Sequence, residues 1–265
     1  LNQILTALKG AGVLLVIGLS TIVLSVLICI GALFRFLAPT AKSRARMRHG
    51  LAHLAELWVS INNGVLGLLR QTHWDVQLPE KLDRKGCYLV SCNHQSWVDI
   101  LVLQRCFNRR LPFLRFFLKK ELFWVPFMGL AWWSLDFPFL QRYSKAQIAR
   151  NPGLLGKDLE NARKACEKFR EIPVAMMSFP EGTRFSEQKR LESGSPYRQL
   201  LKPRIGGIGQ VLYALGDQLD GLIDVTIVYP GGKPGASPPT FWQLVSGQIP
   251  QIVVRSEQRE IPADL

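Results

Sequence analysis

Two polar groups stand five positions apart in "NHQSWVD", the imidazole of His94 and the carboxylate of Asp99. A neutral imidazole is the side chain best suited to taking a proton near pH 7. Such a base needs a partner that fixes its tautomer and stabilises the imidazolium formed during reaction. Asp99 meets that need only if the chain turns sharply after His94 and enters a helix, because residues five apart do not stack on a regular helix. Taken alone the spacing is weak, and it fits equally a histidine that sits near an unrelated acid. Cys92 and Ser96 are nucleophiles on paper, but nothing in the sequence supplies either with a base, and they read as structural.

A second polar group, "FPEGTR", lies 87 positions further on. Gly182 lets the backbone approach an anion, Thr183 offers a hydroxyl, and Arg184 offers a planar fork that suits phosphate. Glu181 would repel an anion, so its expected task is to orient Arg184 or a substrate hydroxyl. An ordinary strand-to-loop exit with a solvated arginine explains the same residues. Arg142, Lys202 and Arg204 are further basic groups in loops, and Gly206-Gly207 opens a helix whose N-terminus suits an anion.

The elements that must position these groups follow from the apolar pattern. "CYLVS" (Cys87–Ser91) and "VAMMSF" (Val174–Phe179) read as buried strands, each ending just before one of the two polar groups. "WVDILVLQRCF" reads as a helix with Ile100, Leu103 and Phe107 on one face, and "LIDVTIVYP" as a last buried strand. Strands that alternate with helices predict an α/β fold with a mixed, mostly parallel sheet and helices on both faces. In such sheets ligands bind beyond the carboxyl ends of the strands, where both polar groups would meet.

Ahead of this region, Gly10 to Phe34 form a run of 25 residues without a charge. That exceeds the roughly 20 residues needed to span a bilayer. A signal peptide would be shorter in its apolar part and followed by a small-residue cleavage site. Arg35, Lys42, Arg44, Arg46 and Arg48 follow the run, against Lys9 in front, which places the rest of the chain in the cytoplasm. A helix lying within one leaflet is the alternative to a span. A second helix is expected from about Arg48 to Arg70, with Leu51, Leu54, Trp58, Ile61, Val65 and Leu68 as its apolar stripe and Glu56, Ser60 and Asn63 off it. The expected division is a two-helix membrane-docking unit over residues 1–72 and an α/β domain over 73–265.

Composition narrows the partners. The net charge of +13 points to anionic partners, and the scatter of basic residues disfavours nucleic acid. The five cysteines include no CxxC pair and no zinc spacing, so they read as reduced apolar fillers, with no metal site. Leu122 to Leu135 are 14 uncharged residues rich in aromatics, too short to cross a bilayer. They suit a buried segment or a wall for an acyl chain.

"NHQSWVD" followed by "FPEGTR" resembles the first and third signature blocks of the PlsC-like 1-acylglycerol-3-phosphate (lysophospholipid) acyltransferase family. "KKELFWVPFMG" with Arg142 resembles the second block, and "VTIVYP" the fourth, with Tyr229 where a small aliphatic residue is commoner. The wider texture is similar to the YihG branch. The resemblance implies that His94 is the general base, oriented by Asp99, and that it activates a glycerol hydroxyl to attack the thioester of acyl-CoA or acyl-carrier protein. Arg142, Glu181, Gly182, Thr183 and Arg184 become acceptor-binding candidates; Lys202 and Arg204 join them from charge and position. It implies no cofactor, no metal and no covalent acyl-enzyme. The partners are then a lysophospholipid acceptor, an acyl-CoA or acyl-carrier protein, and an anionic membrane, with the bacterial inner membrane as location. A non-catalytic, membrane-anchored lipid-binding protein is the competing reading of another class.

Overall fold

The computed structural model describes residues 2–69, 71–140, 145–170, 172–231 and 237–261. Its first element, α1 (Asn2–Leu37), is followed by α2 (Ala41–Leu68). The latter begins seven residues before the expected start. Thr40 caps it, accepting from the Ser43 N–H at 3.1 Å while the Ser43 hydroxyl receives the Thr40 N–H at 3.3 Å. This reciprocal box satisfies two end groups and makes a helix start of a basic, weakly apolar stretch.

The buried face of α2 is also rotated from the expected stripe. It carries Leu51, Ala55, Glu56, Val59, Asn62 and Leu66, while Leu68 is exposed. Glu56 was expected off the stripe. It is buried because Arg84 and His53 reach its two oxygens, at 2.7 and 3.2 Å.

The α/β part begins with β1 (His73–Gln77) and β2 (Cys87–Cys92), then α3 (Val98–Phe107). Short pieces follow: β3 (Leu114–Phe116), β4 (Leu118–Lys119), a 3-10 turn over Lys120–Trp124, α4 (Met128–Ser134) and β5 (Phe139–Leu140). Next come α5 (Lys145–Arg150), α6 (Gly153–Cys166), β6 (Val174–Ser178), α7 (Glu187–Glu192) and α8 (Ile205–Leu215). The chain closes with β7 (Gly221–Val228), α9 (Phe241–Val245) and β8 (Gln251–Arg259).

Six strands form one sheet in the order β1-β8-β7-β2-β6-β3. β3, β6, β2 and β7 run parallel; β8 is antiparallel to β7 and parallel to β1. The sheet is therefore mixed and mostly parallel. Alternation along β2 sends Tyr88, Val90 and Cys92 into one core with α3 and α9, and Cys87 and Leu89 into another with α6 and α8. Helices cover both faces, as parallel strands buried on both sides require.

α1 lies along this body. Gly10 sits so close to α9 that a Cβ there would come within 2.8 Å of the Trp242 ring, and Arg35 pairs through both nitrogens with Asp136. Between these points it packs on α2 and α4, and Ile28, Leu51, Ala131 and Leu135 share a third core. Its outer side leaves Leu15, Leu19 and Phe34 exposed, and Trp124, Phe127 and Trp133 are exposed in and around α4.

Candidate active site

The candidate site is set by the ends of three neighbouring parallel strands. His94 follows β2, Glu181 follows β6 and Tyr229 follows β7, with β2 hydrogen-bonded to both others. Asn93 ties two of these ends together: its amide donates to the Ile227 carbonyl at 2.9 Å, and its oxygen accepts from the Ile227 N–H at 2.8 Å. This pairs backbone groups where the ladder stops and anchors the residue before His94.

After His94 the chain turns within four residues and enters α3. The Ser96 hydroxyl accepts from the Val98 N–H at 3.0 Å and donates to the Pro239 carbonyl at 2.5 Å, which settles Ser96 as structural. Asp99 lies in the first turn of α3 with 0% exposure. Its Oδ2 meets His94 Nδ1 at 2.9 Å and accepts from the N–H groups of Gln95 at 2.6 Å and Ser96 at 2.8 Å. Its Oδ1 accepts from the Tyr229 hydroxyl at 2.5 Å. With Nδ1–H assigned as the donor to Asp99, the lone pair of Nε2 is the basic position of His94. The ring is stacked on Phe179, centroids 3.9 Å apart and planes 13° apart, so its orientation is fixed on a second side.

Glu181 is buried beneath the turn. Its Oε1 accepts from the His94 N–H and its Oε2 from the Leu201 N–H, both at 2.8 Å. Both oxygens thus hold backbone, and Glu181 does not reach Arg184 as expected; the strand end delivers it under the His94 turn instead. Burial pushes its carboxyl pKa up, against the pull of those two donors. The Phe185 N–H donates to the His94 carbonyl at 2.7 Å, so the two polar groups are stitched together by three contacts across the cleft floor.

The remaining candidates divide into two places. Thr183, Lys202 and Arg204 line a cavity of about 460 Å³ together with Glu181 and Lys189. Lys189 donates to the Thr183 hydroxyl at 2.9 Å and to the Arg184 carbonyl at 3.0 Å, a contact that no spacing rule marked out. Gly182 has φ +68°, and a Cβ there would meet Arg204 Cδ at 3.3 Å, so glycine serves both the turn and the close approach. Arg184 is turned away, its guanidinium 5.1 Å above the ring of Trp97. Arg142 lies outside the described residues. Among the described residues no group of His, Cys, Asp and Glu is arranged to hold a metal ion.

Tyr229 is the functional side chain that the residue pattern did not assign. It stood out as a departure at the end of "VTIVYP", and a buried tyrosine hydroxyl demands a partner. Burial and the Asp99 charge push its phenol pKa far up, so it acts as a donor throughout the working range.

Residues 73–229 match the family model described as Acyltransferase, more than half of the chain. Over 192 residues the chain is 24% identical to 1-acyl-sn-glycerol-3-phosphate acyltransferase epsilon of Mus musculus, covering 65% of this chain and 50% of that protein. It is 28% identical over 182 residues to 1-acyl-sn-glycerol-3-phosphate acyltransferase 2 of Arabidopsis thaliana, covering 62% and 42%. It is 29% identical over 184 residues to lysocardiolipin acyltransferase 1 of Danio rerio, covering 64% and 44%. The chain thus spans about half the length, or less, of the curated relatives it matches. The fold is similar to the crystal structure of the 1-acyl-sn-glycerophosphate acyltransferase PlsC from Thermotoga maritima, with TM-score 0.59, 15% identity, and coverage of 97% of this chain and 86% of that one.

Proposed function

The chain belongs to the acyltransferase family, and from that premise we propose that it moves a fatty acyl group from acyl-CoA or acyl-carrier protein to the free sn-2 hydroxyl of lysophosphatidic acid, giving phosphatidic acid. The observation that carries this reading is the His94–Asp99 pair, 2.9 Å apart at the carboxyl edge of the sheet, with Nε2 left as the base. In the proposed step His94 Nε2 takes the proton of the acceptor hydroxyl as that oxygen attacks the thioester carbonyl. The tetrahedral intermediate then collapses with cleavage of the C–S bond, and the imidazolium returns its proton to the leaving thiolate. Asp99 stabilises the imidazolium between these events and keeps the ring in register.

Thr183, Lys202 and Arg204, around their shared cavity, suit the phosphate of the acceptor, and Arg184 and Arg142 are further acceptor-binding candidates. Gly182 belongs with them as the turn that admits the anion. Residues 1–72 serve as the membrane-docking unit, with 73–265 as the catalytic domain. Among the described residues, Asn2–Leu37 is the one helix long and apolar enough to cross a membrane. Because α1 is held at Gly10 by α9 and at Arg35 by Asp136, a placement in one leaflet beside the active site suits it better than a span that leaves the domain. The proposed location is a bacterial inner membrane with the α/β domain on the cytoplasmic side; the basic residues after the apolar run support that side. The YihG-like texture fits the same setting.

A second acceptor class rests on a separate observation: lysocardiolipin acyltransferase 1 of Danio rerio matches this chain at 29% identity, level with the 28% of 1-acyl-sn-glycerol-3-phosphate acyltransferase 2 of Arabidopsis thaliana. Lysophosphatidylglycerol or a lysocardiolipin-like lipid would take the same chemistry. Purified protein in anionic lipid or mild detergent, given labelled acyl-CoA or acyl-carrier protein and a panel of lysophospholipids, separates these readings. Transfer should appear with one acceptor class and vanish in His94→Ala, while folding and membrane association persist. Silence across the panel favours lipid binding alone, and near-normal turnover by His94→Ala overturns the role proposed for His94.

A further inference from the structure

The opposite edge of the sheet holds a second concentration of charge. The parallel strands β2, β3 and β6 begin there, and the six residues of β2 separate it from the His94 edge by roughly 20 Å. A cleft of about 100 Å³ opens between α2 and the segments that lead into these three strands. Arg48, His53, Arg84 and Arg115 line it, with Glu56 as the acidic member. An adjoining hollow of about 470 Å³ shares His53, Glu56 and Arg84 and adds Arg109.

The acids available here are already engaged. Glu56 gives one oxygen to Arg84 at 2.7 Å and the other to His53 at 3.2 Å. Behind the cleft, Asp136 accepts both nitrogens of Arg35 at 3.0 and 2.9 Å, and Arg48 and Lys168 also crowd it, at 3.3 and 4.0 Å. Arg48 Nε is buried 3.3 Å from Asp136 Oδ2, an ion pair without hydrogen-bond geometry. Arg115 uses Nε and one Nη on the carbonyls of Leu135 and Phe113, at 2.9 and 3.4 Å, and still reaches the cleft wall. Five basic side chains, Arg35, Arg48, Arg84, Arg115 and Lys168, thus have two carboxylates between them. Buried charge of one sign is costly unless a counter-charge meets it. Burial, with crowding by like charges, pulls Arg115 down to about 10 and Lys168 to about 8.

We propose that this cleft is a binding site for a phosphate-bearing anion, gripped by the guanidinium groups of Arg48, Arg84 and Arg115 and separate from the catalytic edge. Guanidinium forks match phosphate oxygens in pairs, and a 100 Å³ space accommodates one phosphate group. The anion is either the headgroup of an anionic lipid or a free phosphate. The exposed Lys42, Arg44 and Arg46 at the start of α2, next to the apolar outer side of α1, bring a bilayer surface near the cleft. The proposal does not depend on the acyl-transfer reading.

The test uses the full chain in a neutral detergent and follows Tm during titration with inorganic phosphate or with dihexanoyl phosphatidylglycerol, against sodium chloride at equal ionic strength. At least one of the two should raise Tm saturably. A stronger effect of the short-chain lipid identifies a headgroup site; an equal effect of phosphate identifies a free anion. Arg84→Gln and Arg48→Gln should each weaken the apparent affinity at least tenfold, while Arg184→Gln at the catalytic edge leaves it unchanged. Should Arg48→Gln fail to fold, Arg84→Gln decides alone, since its side chain is 45% exposed and its loss opens no core. The proposal falls if neither anion exceeds chloride, if the shift survives Arg84→Gln in full, or if Arg184→Gln is the change that removes it.

Discussion

The Tyr229 hydroxyl donates to Asp99 Oδ1 at 2.5 Å, joining residues 130 positions apart in the chain. The same carboxylate presents its other oxygen to His94. Tyr229 therefore shares the negative charge that would otherwise act wholly on the imidazolium, and it fixes the plane of the carboxylate.

Tyr229→Phe should lower kcat/KM roughly tenfold, equivalent to about 1.4 kcal/mol, because the carboxylate beside His94 loses the donor that fixes its plane. Unchanged turnover in a variant that keeps the parent's Tm would show that the tyrosine is merely packing.

Gly182→Ala should destabilise the fold by about 1–2 kcal/mol, since a residue with a Cβ resists φ +68°. Gly182→Asn should recover part of that loss, because asparagine tolerates the left-handed region. Both variants crowd Arg204, so KM for the acceptor should rise more than kcat falls. Equal stability of the alanine and asparagine variants in chemical denaturation would argue that the contact with Arg204, and not the backbone, sets the cost.

Lys168 gives a pH signature of stability. Folding lowers it from 10.5 to about 8, chiefly through burial. Between those values the unfolded chain binds a proton that the folded chain does not, so stability rises with pH across the window. Lys168→Met should flatten that rise and add on the order of 1–3 kcal/mol at pH 7 in chloride buffer. A Tm-pH curve unchanged by the substitution would show that Asp136 compensates the lysine fully.

Leu15→Asp with Leu19→Asp tests the docking side of α1, where the two leucines are 71% and 60% exposed. Co-flotation with anionic vesicles should drop several-fold, while folding stability in detergent stays within about 0.5 kcal/mol of the parent, as surface substitutions do. Undiminished flotation would assign membrane contact to another part of the surface.

Several elements were readable from local pattern alone. β2 and β6 are short apolar runs buried on both faces, and the polar groups after them mark strand ends, so "NHQSWVD" and "FPEGTR" located two of the three strand ends that form the site. β1 and β8 were not readable. "HWDVQ" pairs on one side only, and six of the nine residues of "QIVVRSEQR" are polar, so neither carries the apolar run by which a central strand is recognised. The start of α2 was missed because a capping box, and not apolar periodicity, begins that helix.

The spacing of His94 and Asp99 is weak alone, and the resemblance carried by "NHQSWVD" with "FPEGTR" singled them out; local geometry then brings them together, because an acid in the first turn after a strand-helix junction lies beside the histidine that precedes it. Only the tertiary structure decided what surrounds that pair. Sequence leaves Glu181 as an orienter of Arg184 or of a substrate hydroxyl, and the fold makes it a brace for the His94 backbone; Tyr229, a departure at the end of "VTIVYP", becomes a donor to Asp99. Both outcomes depend on which strands lie beside β2, and strand order is set by burial of both sheet faces over the whole chain. The basic cleft has the same origin. Arg48, Arg84 and Arg115 are ordinary scattered cations in sequence, and they become one site only because α2 crosses the edge where β2, β3 and β6 begin.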